Sequence, residues 1–297
     1  MNLTGIIAPV LTPFTEDGAL DVEAFRAEVR LLLDSGVHGI SPGGSTGEGA
    51  ALTDDELVEM LAIIREENHD SVPVVAGIIR SSTPAAVRTG LLARDAGADA
   101  LMVTPTFYNV LVPDDGGNRL FYQTLSREVG LPVIIYNVIP QNQISSELAA
   151  ELLDIEHVVG IKQSVGGIMA MYDMRLASRD KGLVYAATDE MLASCYALGA
   201  DGAISAILSL FPRTSVRMWE LVRSGRHEEA LALQERLYPV WRLVRGAQFP
   251  ARMKAAASAL GRQSGYPRSP LTPVSDQVRA ALEEALTGIS DIEAVAV

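Results

Sequence analysis

Short apolar runs recur along the chain at 5–10, 38–42, 72–77, 98–103, 131–136, 157–162, 182–187 and 201–206. Each is rich in small or branched apolar residues, and none alternates cleanly with polar ones. Strands covered on both faces read this way, because side chains pointing in either direction avoid water. Between the runs lie stretches with helical spacing, among them VEAFRAEVRLLLDSG, TDDELVEMLAIIREEN, PAAVRTGLLARDAG and SSELAAELLD. Thr53 followed three residues later by Glu56 predicts a capping box, and Ser145 predicts a simple N-cap.

A weak internal repeat supports the same reading. DSGVHGI (34–40), DAGADAL (95–101) and LGADGAI (198–204) share one grammar: a helix ends, a glycine closes it, and a strand opens. Eight buried strands alternating with helices predict an α/β fold of the closed (β/α)8 TIM-barrel type, with an open doubly wound sheet as the alternative. Only helical patterns follow the eighth run. The expected division is a barrel over 1–224 and a C-terminal helical extension, packed on it, over 225–297.

Composition narrows the partners. The chain has 297 residues, 48% of them hydrophobic, enough for one large core. A net charge of −13 disfavours nucleic acid and anionic membranes, and it means that an anionic ligand needs local donors. The one cysteine, Cys195, lies in an apolar stretch and is expected in the core, so no disulfide framework is possible within the chain. No basic start followed by an apolar run is visible, and no apolar run approaches the ~20 residues of a membrane span. The expected setting is a reducing cytoplasm.

In a parallel barrel the chemistry gathers where strands end, and these ends are polar: PGGSTGE, TPTFYN, YNVIP, KQSVGG and ATDE. Lys162 ends VVGIK. Of 24 basic residues only Lys162, Lys181 and Lys254 are lysine, so wherever charge alone suffices the chain uses arginine. A lysine at the end of a buried strand suggests an amine that loses its proton in a dry cavity and attacks a carbonyl. Lys181 in a turn and Lys254 on a late helix are expected at the surface or in packing.

Tyr136, ending the preceding strand, is placed to move protons, although a core aromatic would look the same. The run Gly43-Gly44-Ser45-Thr46-Gly47-Glu48 can turn backbone N–H groups toward a carboxylate. It also matches the G-x-S-x-G elbow of serine hydrolases, with Ser45 as nucleophile, but neither His157 nor His227 has the context of a partner base. Phe107-Tyr108-Asn109 would line the cavity mouth or a subunit contact. The four histidines show no metal-ligand spacing, no G-x-G-x-x-G follows a strand, and no phosphate cup suits pyridoxal phosphate, so no cofactor is expected.

Together GGSTGE (43–48), TPTFYN (104–109), the YNV-P segment (136–140, with Ile139 inserted) and GIK (160–162) resemble the dihydrodipicolinate synthase / N-acetylneuraminate lyase family along nearly the whole chain. The resemblance implies that Lys162 is the Schiff-base lysine and that Tyr136 relays protons. Ser45 would link Tyr136 to a second tyrosine, Tyr108, which in family members often reaches in from a neighbouring subunit. Thr46, with the N–H groups of the loop glycines Gly44 and Gly47, would hold the carboxylate of a pyruvate-like ligand, and Ile204 would bring its carbonyl near the lysine. It also implies a homotetramer built as a dimer of dimers.

The chain departs from the synthase pattern. No arginine follows YNV-P, where the sequence reads Ile139-Pro140-Gln141-Asn142-Gln143. Gln163-Ser164 replaces the acidic residue usual after the lysine, and Ala187-Thr188-Asp189 replaces the usual Gly-Asp. An uncharged lining from Gln141, Asn142, Gln163, Ser164 and Thr188 would suit a hydroxylated or neutral tail. The expected activity is a lyase or aldolase acting on pyruvate or a 2-keto(-3-deoxy) acid. A dehydratase or deaminase using the same imine, 4-hydroxy-tetrahydrodipicolinate synthase, a serine hydrolase and a non-catalytic binding barrel are the alternatives.

Overall fold

The eight apolar runs become eight strands: β1 (Gly5–Pro9), β2 (Gly39–Ser41), β3 (Val75–Ile78), β4 (Ala100–Val103), β5 (Val133–Asn137), β6 (Val158–Gln163), β7 (Leu183–Ala186) and β8 (Gly202–Ala203). The computed structural model describes residues 1–289 and Glu293. The strands lie in the order β2-β1-β8-β7-β6-β5-β4-β3, with every pairing parallel. A parallel bridge between Ile40 and Val74 joins the two ends of that order and closes the barrel. The open-sheet alternative is thereby set aside. Apart from Val159 and Leu183, every strand residue is buried, as the unbroken apolar runs require.

Period-2 alternation sorts these residues into two cores. Ile7, Val75, Ala100, Met102, Ile134, Tyr136, Tyr185 and Ile204 fill the barrel interior, while their neighbours pack outward under the helices. The helices start where the sequence signals them. Asp21 caps α1 (Val22–Asp34), Thr53 and Glu56 form the capping box of α2 (Asp54–Asn68), and Ser145 caps α5 (Ser146–Leu152). Between these lie α3 (Thr83–Asp95) and α4 (Asp115–Val129), and beyond them α6 (Gly167–Ala177) and α7 (Leu192–Ala197).

After β8 come α8 (Ile207–Leu210), α9 (Pro212–Arg223), α10 (His227–Val244), α11 (Phe249–Ala259) and α12 (Asp276–Thr287). The division expected at residue 224 falls between α9, which packs on β1, and α10. The expected extension runs to 297, and its residues 290–292 and 294–297 lie outside the described residues. Helix α11 packs against the Ser45–Gly47 turn, so the extension reaches the end of the barrel where the strands finish. No helix among the described residues is long and apolar enough to cross a membrane.

Candidate active site

Strand register assembles the centre. Lys162 on β6 lies beside Tyr136 on β5 and Tyr185 on β7, and alternation turns all three inward. Lys162 is 5% exposed, and its Nζ stands 3.7 Å from the centroid of the Tyr136 ring. Among the described residues no carboxylate comes within ion-pairing distance of that nitrogen. Burial pushes the Asp189 carboxyl up to about 6, opposed by a bond from the Ile207 N–H at 2.7 Å and by the charge of Lys162.

The two tyrosines beside the lysine have different tasks. The Tyr185 hydroxyl donates to the Leu3 carbonyl at 2.8 Å and closes the N-terminal end of the barrel, where burial raises its pKa. The Tyr136 hydroxyl points the other way and donates to Ser45 Oγ at 3.1 Å. Tyr136, Ser45 and Lys162 are thus brought together as the sequence suggests.

The loop carrying Ser45 is held by its glycines and by a buried ion pair. Gly43 has φ +72°, and a Cβ on Gly49 would stand 1.7 Å from the Gly43 carbonyl, so neither position accepts a side chain without rebuilding the turn. Ser45–Gly47 forms a single 3-10 turn. The N–H groups of Gly44, Ser45 and Thr46 have no partner among the described residues and remain free for an anion. Gly47 does not serve as expected. Its N–H is spent on the Gly44 carbonyl at 3.1 Å, and its own carbonyl accepts from Thr12 Oγ1 at 2.7 Å, so it anchors the turn. Thr46 is buried beside these donors.

Glu48 closes the loop in the left-handed region, with φ +56°. Its carboxylate accepts from Lys254 Nζ at 2.5 Å and from the Arg268 backbone N–H at 2.9 Å. Lys254 is 2% exposed, donates also to the Tyr266 carbonyl at 2.6 Å, and stands over the Phe14 ring at 4.4 Å. Burial lowers the Lys254 pKa, and the charge of Glu48 opposes that. Lys254 is therefore not a surface residue: it ties α11 to the glycine loop across the whole chain. Lys181 does lie at the surface, paired with Asp154 at 2.7 Å. Sequence reasoning passed over Glu48 and Lys254, although the scarcity of lysine that singled out Lys162 applied equally to Lys254.

Other expected site residues are placed elsewhere. Gln163 follows Lys162 on the strand and must face the opposite way. Its amide accepts from Asn137 at 2.8 Å and donates to the Val165 carbonyl at 2.8 Å. Asn142 bonds Asn118 at 2.8 Å and the Thr106 carbonyl at 3.0 Å, pinning the loop that carries Tyr108 rather than facing a ligand. Gln141 is exposed, and the Ser164 hydroxyl is buried without a partner. The amide lining expected from Asn142 and Gln163 is not formed. Thr188 follows β7 and is buried, near the Cys195 thiol, which burial pushes up to about 12. Ile204 lies inside the barrel, its N–H on the Ala186 carbonyl at 3.1 Å.

Tyr108 is 58% exposed on the rim, with Val110 and Leu111 also exposed beside it, and does not meet Ser45 within its own chain. Phe107 does line a cavity of about 370 Å³ that reaches the centre at Ser45 and Thr104. Among the described residues no histidine bonds Ser45, whose hydroxyl meets Tyr136 instead. His38 and His157 sit just before β2 and β6, at the opposite end of the barrel, and His38 accepts from the Ile6 N–H at 3.2 Å.

The sequence pattern of the Dihydrodipicolinate synthetase family matches residues 2–289. A 4-hydroxy-tetrahydrodipicolinate synthase of Methylobacterium radiotolerans is 34% identical over 287 residues, covering 96% of this chain and 95% of that protein. The chloride-inhibited dihydrodipicolinate synthase of Acinetobacter baumannii, solved in complex with pyruvate, superposes with a TM-score of 0.92 at 27% identity, covering 98% of this chain and 100% of that one. CdNal of Clostridium difficile, in complex with mannosamine, gives 0.88 at 25% identity, over 97% and 99% of the two chains. With the family pattern running the length of the barrel and a lysine, a tyrosine and a serine gathered at its mouth, this chain belongs to the dihydrodipicolinate synthetase family.

Proposed function

We propose that the chain is a class I carbon–carbon lyase or aldolase acting on pyruvate or a longer 2-keto acid through an imine on Lys162. The observation that carries this is the position of Lys162: buried, with no ion-pair partner among the described residues, its nitrogen 3.7 Å from the Tyr136 ring, with the Tyr136 hydroxyl bonded to Ser45. The neutral amine is the form that attacks a carbonyl, and the buried position holds Nζ beside the Tyr136 ring for that attack. The free N–H groups of Gly44, Ser45 and Thr46 supply donors for the keto acid's carboxylate. Water leaves as the imine forms. The protonated imine then draws electrons from the bond at C3, and the Tyr136 hydroxyl carries protons to and from the reacting oxygen.

The similarity to a relative named 4-hydroxy-tetrahydrodipicolinate synthase and to a pyruvate-bound structure supports pyruvate as the keto acid. The imine forms on the substrate, so this reaction needs no resident metal or nucleotide. Elimination of water or ammonia through the same imine is the second reading, which the same three residues would serve.

Tyr108, exposed and flanked by exposed Val110 and Leu111, supports assembly into an oligomer in which it completes a neighbouring copy's site. A cytoplasmic setting belongs to the same reading and draws on Cys195, buried and unpaired. Imine formation makes the methyl protons of pyruvate exchangeable. In D2O the enzyme is expected to exchange them, as followed by proton NMR, and Lys162→Ala to abolish that exchange. Undiminished exchange by the variant would rule the reading out.

A further inference from the structure

The cavity that opens beside Ser45 has a volume of about 370 Å³, within the range of small-molecule sites. Its larger apolar wall residues include Ile79, Phe107, Val138, Ile139, Pro270 and Leu271. The first four follow β3, β4 and β5, and the last two follow α11, so barrel and extension build it together. Thr104 also lines it. That residue is 1% exposed, and its Oγ1 is buried with no partner. A buried hydroxyl left without a bond is unfavourable, and a polar atom of a ligand, such as the aldehyde oxygen, would satisfy it.

The charged residues on the cavity wall are already engaged. Arg268 lies against Glu56 through two bonds of 2.5 and 2.7 Å, donates to the Gly18 carbonyl at 2.5 Å, and stacks on Phe14 at 4.0 Å. Glu48 is held by Lys254. Among the described residues lining the cavity there is no further cation. A second carboxylate would lose its hydration there without gaining a counter-charge. A polyhydroxylated chain would set most of its length against aliphatic and aromatic walls, where the hydroxyls of Ser45, Thr104 and Ser269 offer it few partners.

The geometry points to an aldehyde with an apolar tail, aliphatic or aromatic, as the partner of the keto-acid enamine, with its tail against Ile79, Val138, Ile139 and Leu271. This rests on the Schiff-base reading above. The enamine carbon C3 attacks the aldehyde carbon. One C–C bond forms, the carbonyl π pair moves to oxygen, and that oxygen takes the proton of the Tyr136 hydroxyl, a loss balanced by the proton that C3 released when the enamine formed. Water then hydrolyses the imine, replacing the water lost when it formed. With pyruvate the product is a 4-hydroxy-2-oxo acid, and the reverse reaction breaks the same bond.

The test uses the full chain with pyruvate and, in turn, hexanal, benzaldehyde, aspartate semialdehyde and glyceraldehyde, with deuterium exchange measured on the same preparation. Hexanal or benzaldehyde is expected to have kcat/KM at least about tenfold above the charged and hydroxylated aldehydes, the scale on which apolar pockets discriminate. Exchange without that preference overturns this inference and leaves the Schiff-base reading standing. Absence of exchange overturns both.

Ile139→Arg, which adds a free guanidinium, is expected to lower kcat/KM for the apolar aldehyde by about 10- to 200-fold, with pyruvate exchange unchanged. Should that variant fail to fold, Leu271→Ala is expected to cost roughly tenfold, again with exchange intact. An apolar aldehyde indifferent to the folded variant would show that its tail lies elsewhere, and the inference would fall.

Discussion

Lys254 enters the interior paired with Glu48 at 2.5 Å, whereas Lys162 has no ion-pair partner among the described residues. Their roles follow from that difference. Removing one member of a buried pair leaves the other charge stranded, at a cost of about 3–5 kcal/mol. Lys254→Met is therefore expected to lower unfolding free energy by that amount, measured by urea denaturation. Combining it with Glu48→Gln should restore part of the loss, and simple additivity would contradict the coupling. At the centre, Tyr136→Phe keeps the ring under Lys162 and removes only the proton carrier. Turnover is expected to fall by about 10²–10⁴-fold with an unchanged melting temperature. A variant within a factor of a few of the parent would remove Tyr136 from the mechanism.

Asp189 gives a pH signature at the same scale. Burial raises its carboxyl to about 6 in the folded chain, above the ordinary value of 3.8, so the folded state holds the proton more tightly. Its contribution to stability is complete below about 4 and is lost as pH rises to about 6. Glu56 runs the other way. Its bonds to Arg268 hold it near 2, so its contribution is present above 4.5 and lost as pH falls toward 2. Relative to the parent, Asp189→Asn is expected to gain stability between pH 4 and pH 7, by on the order of 3 kcal/mol. A difference that stays constant with pH would contradict the assignment.

At the scale of elements, the 43–48 loop is clamped between β3 and α11. Gly77 on β3 has no room for a side chain, since a Cβ there would stand 2.4 Å from the Gly43 carbonyl. Gly77→Ala is therefore expected to displace the loop. It should weaken pyruvate binding at least tenfold, read from the KM for exchange, while far-ultraviolet circular dichroism stays unchanged. An unaltered KM would mean that the loop does not hold the carboxylate.

The elements themselves were largely legible, because buried strands and capped helices leave local signals: LPVIIY became β5 and Thr53-x-x-Glu56 became a capping box. The eighth strand shortened to Gly202–Ala203. Gly202 approaches the Gly5 carbonyl so closely that a Cβ would meet it at 2.0 Å, a contact no local pattern records. Lys162, Tyr136 and Ser45 were legible as polar residues at strand ends. Gln163 was misplaced although strand alternation beside an inward Lys162 argued against it. The Glu48–Lys254 pair spans 206 residues of sequence, beyond the reach of any periodicity.

At the scale of the whole molecule, an enzyme carrying a net charge of −13 needs local donors to draw an anionic keto acid, and the proposed ones, the loop N–H groups and the lysine, are concentrated at one mouth. The rim carries Tyr108, exposed within a single chain. If a neighbouring copy uses it, diluting the enzyme below its dissociation constant should lower specific activity in step with mass measured by light scattering. Tyr108→Phe should reduce turnover without changing that mass. Full activity in a monomer would remove Tyr108 from the site.

The most direct test is borohydride reduction in the presence of pyruvate, followed by peptide mass mapping. The account predicts one stable pyruvate-derived adduct, on Lys162, with Lys181 and Lys254 unmodified and no adduct in Lys162→Arg. An unmodified Lys162, or an adduct distributed over all three lysines, would contradict it.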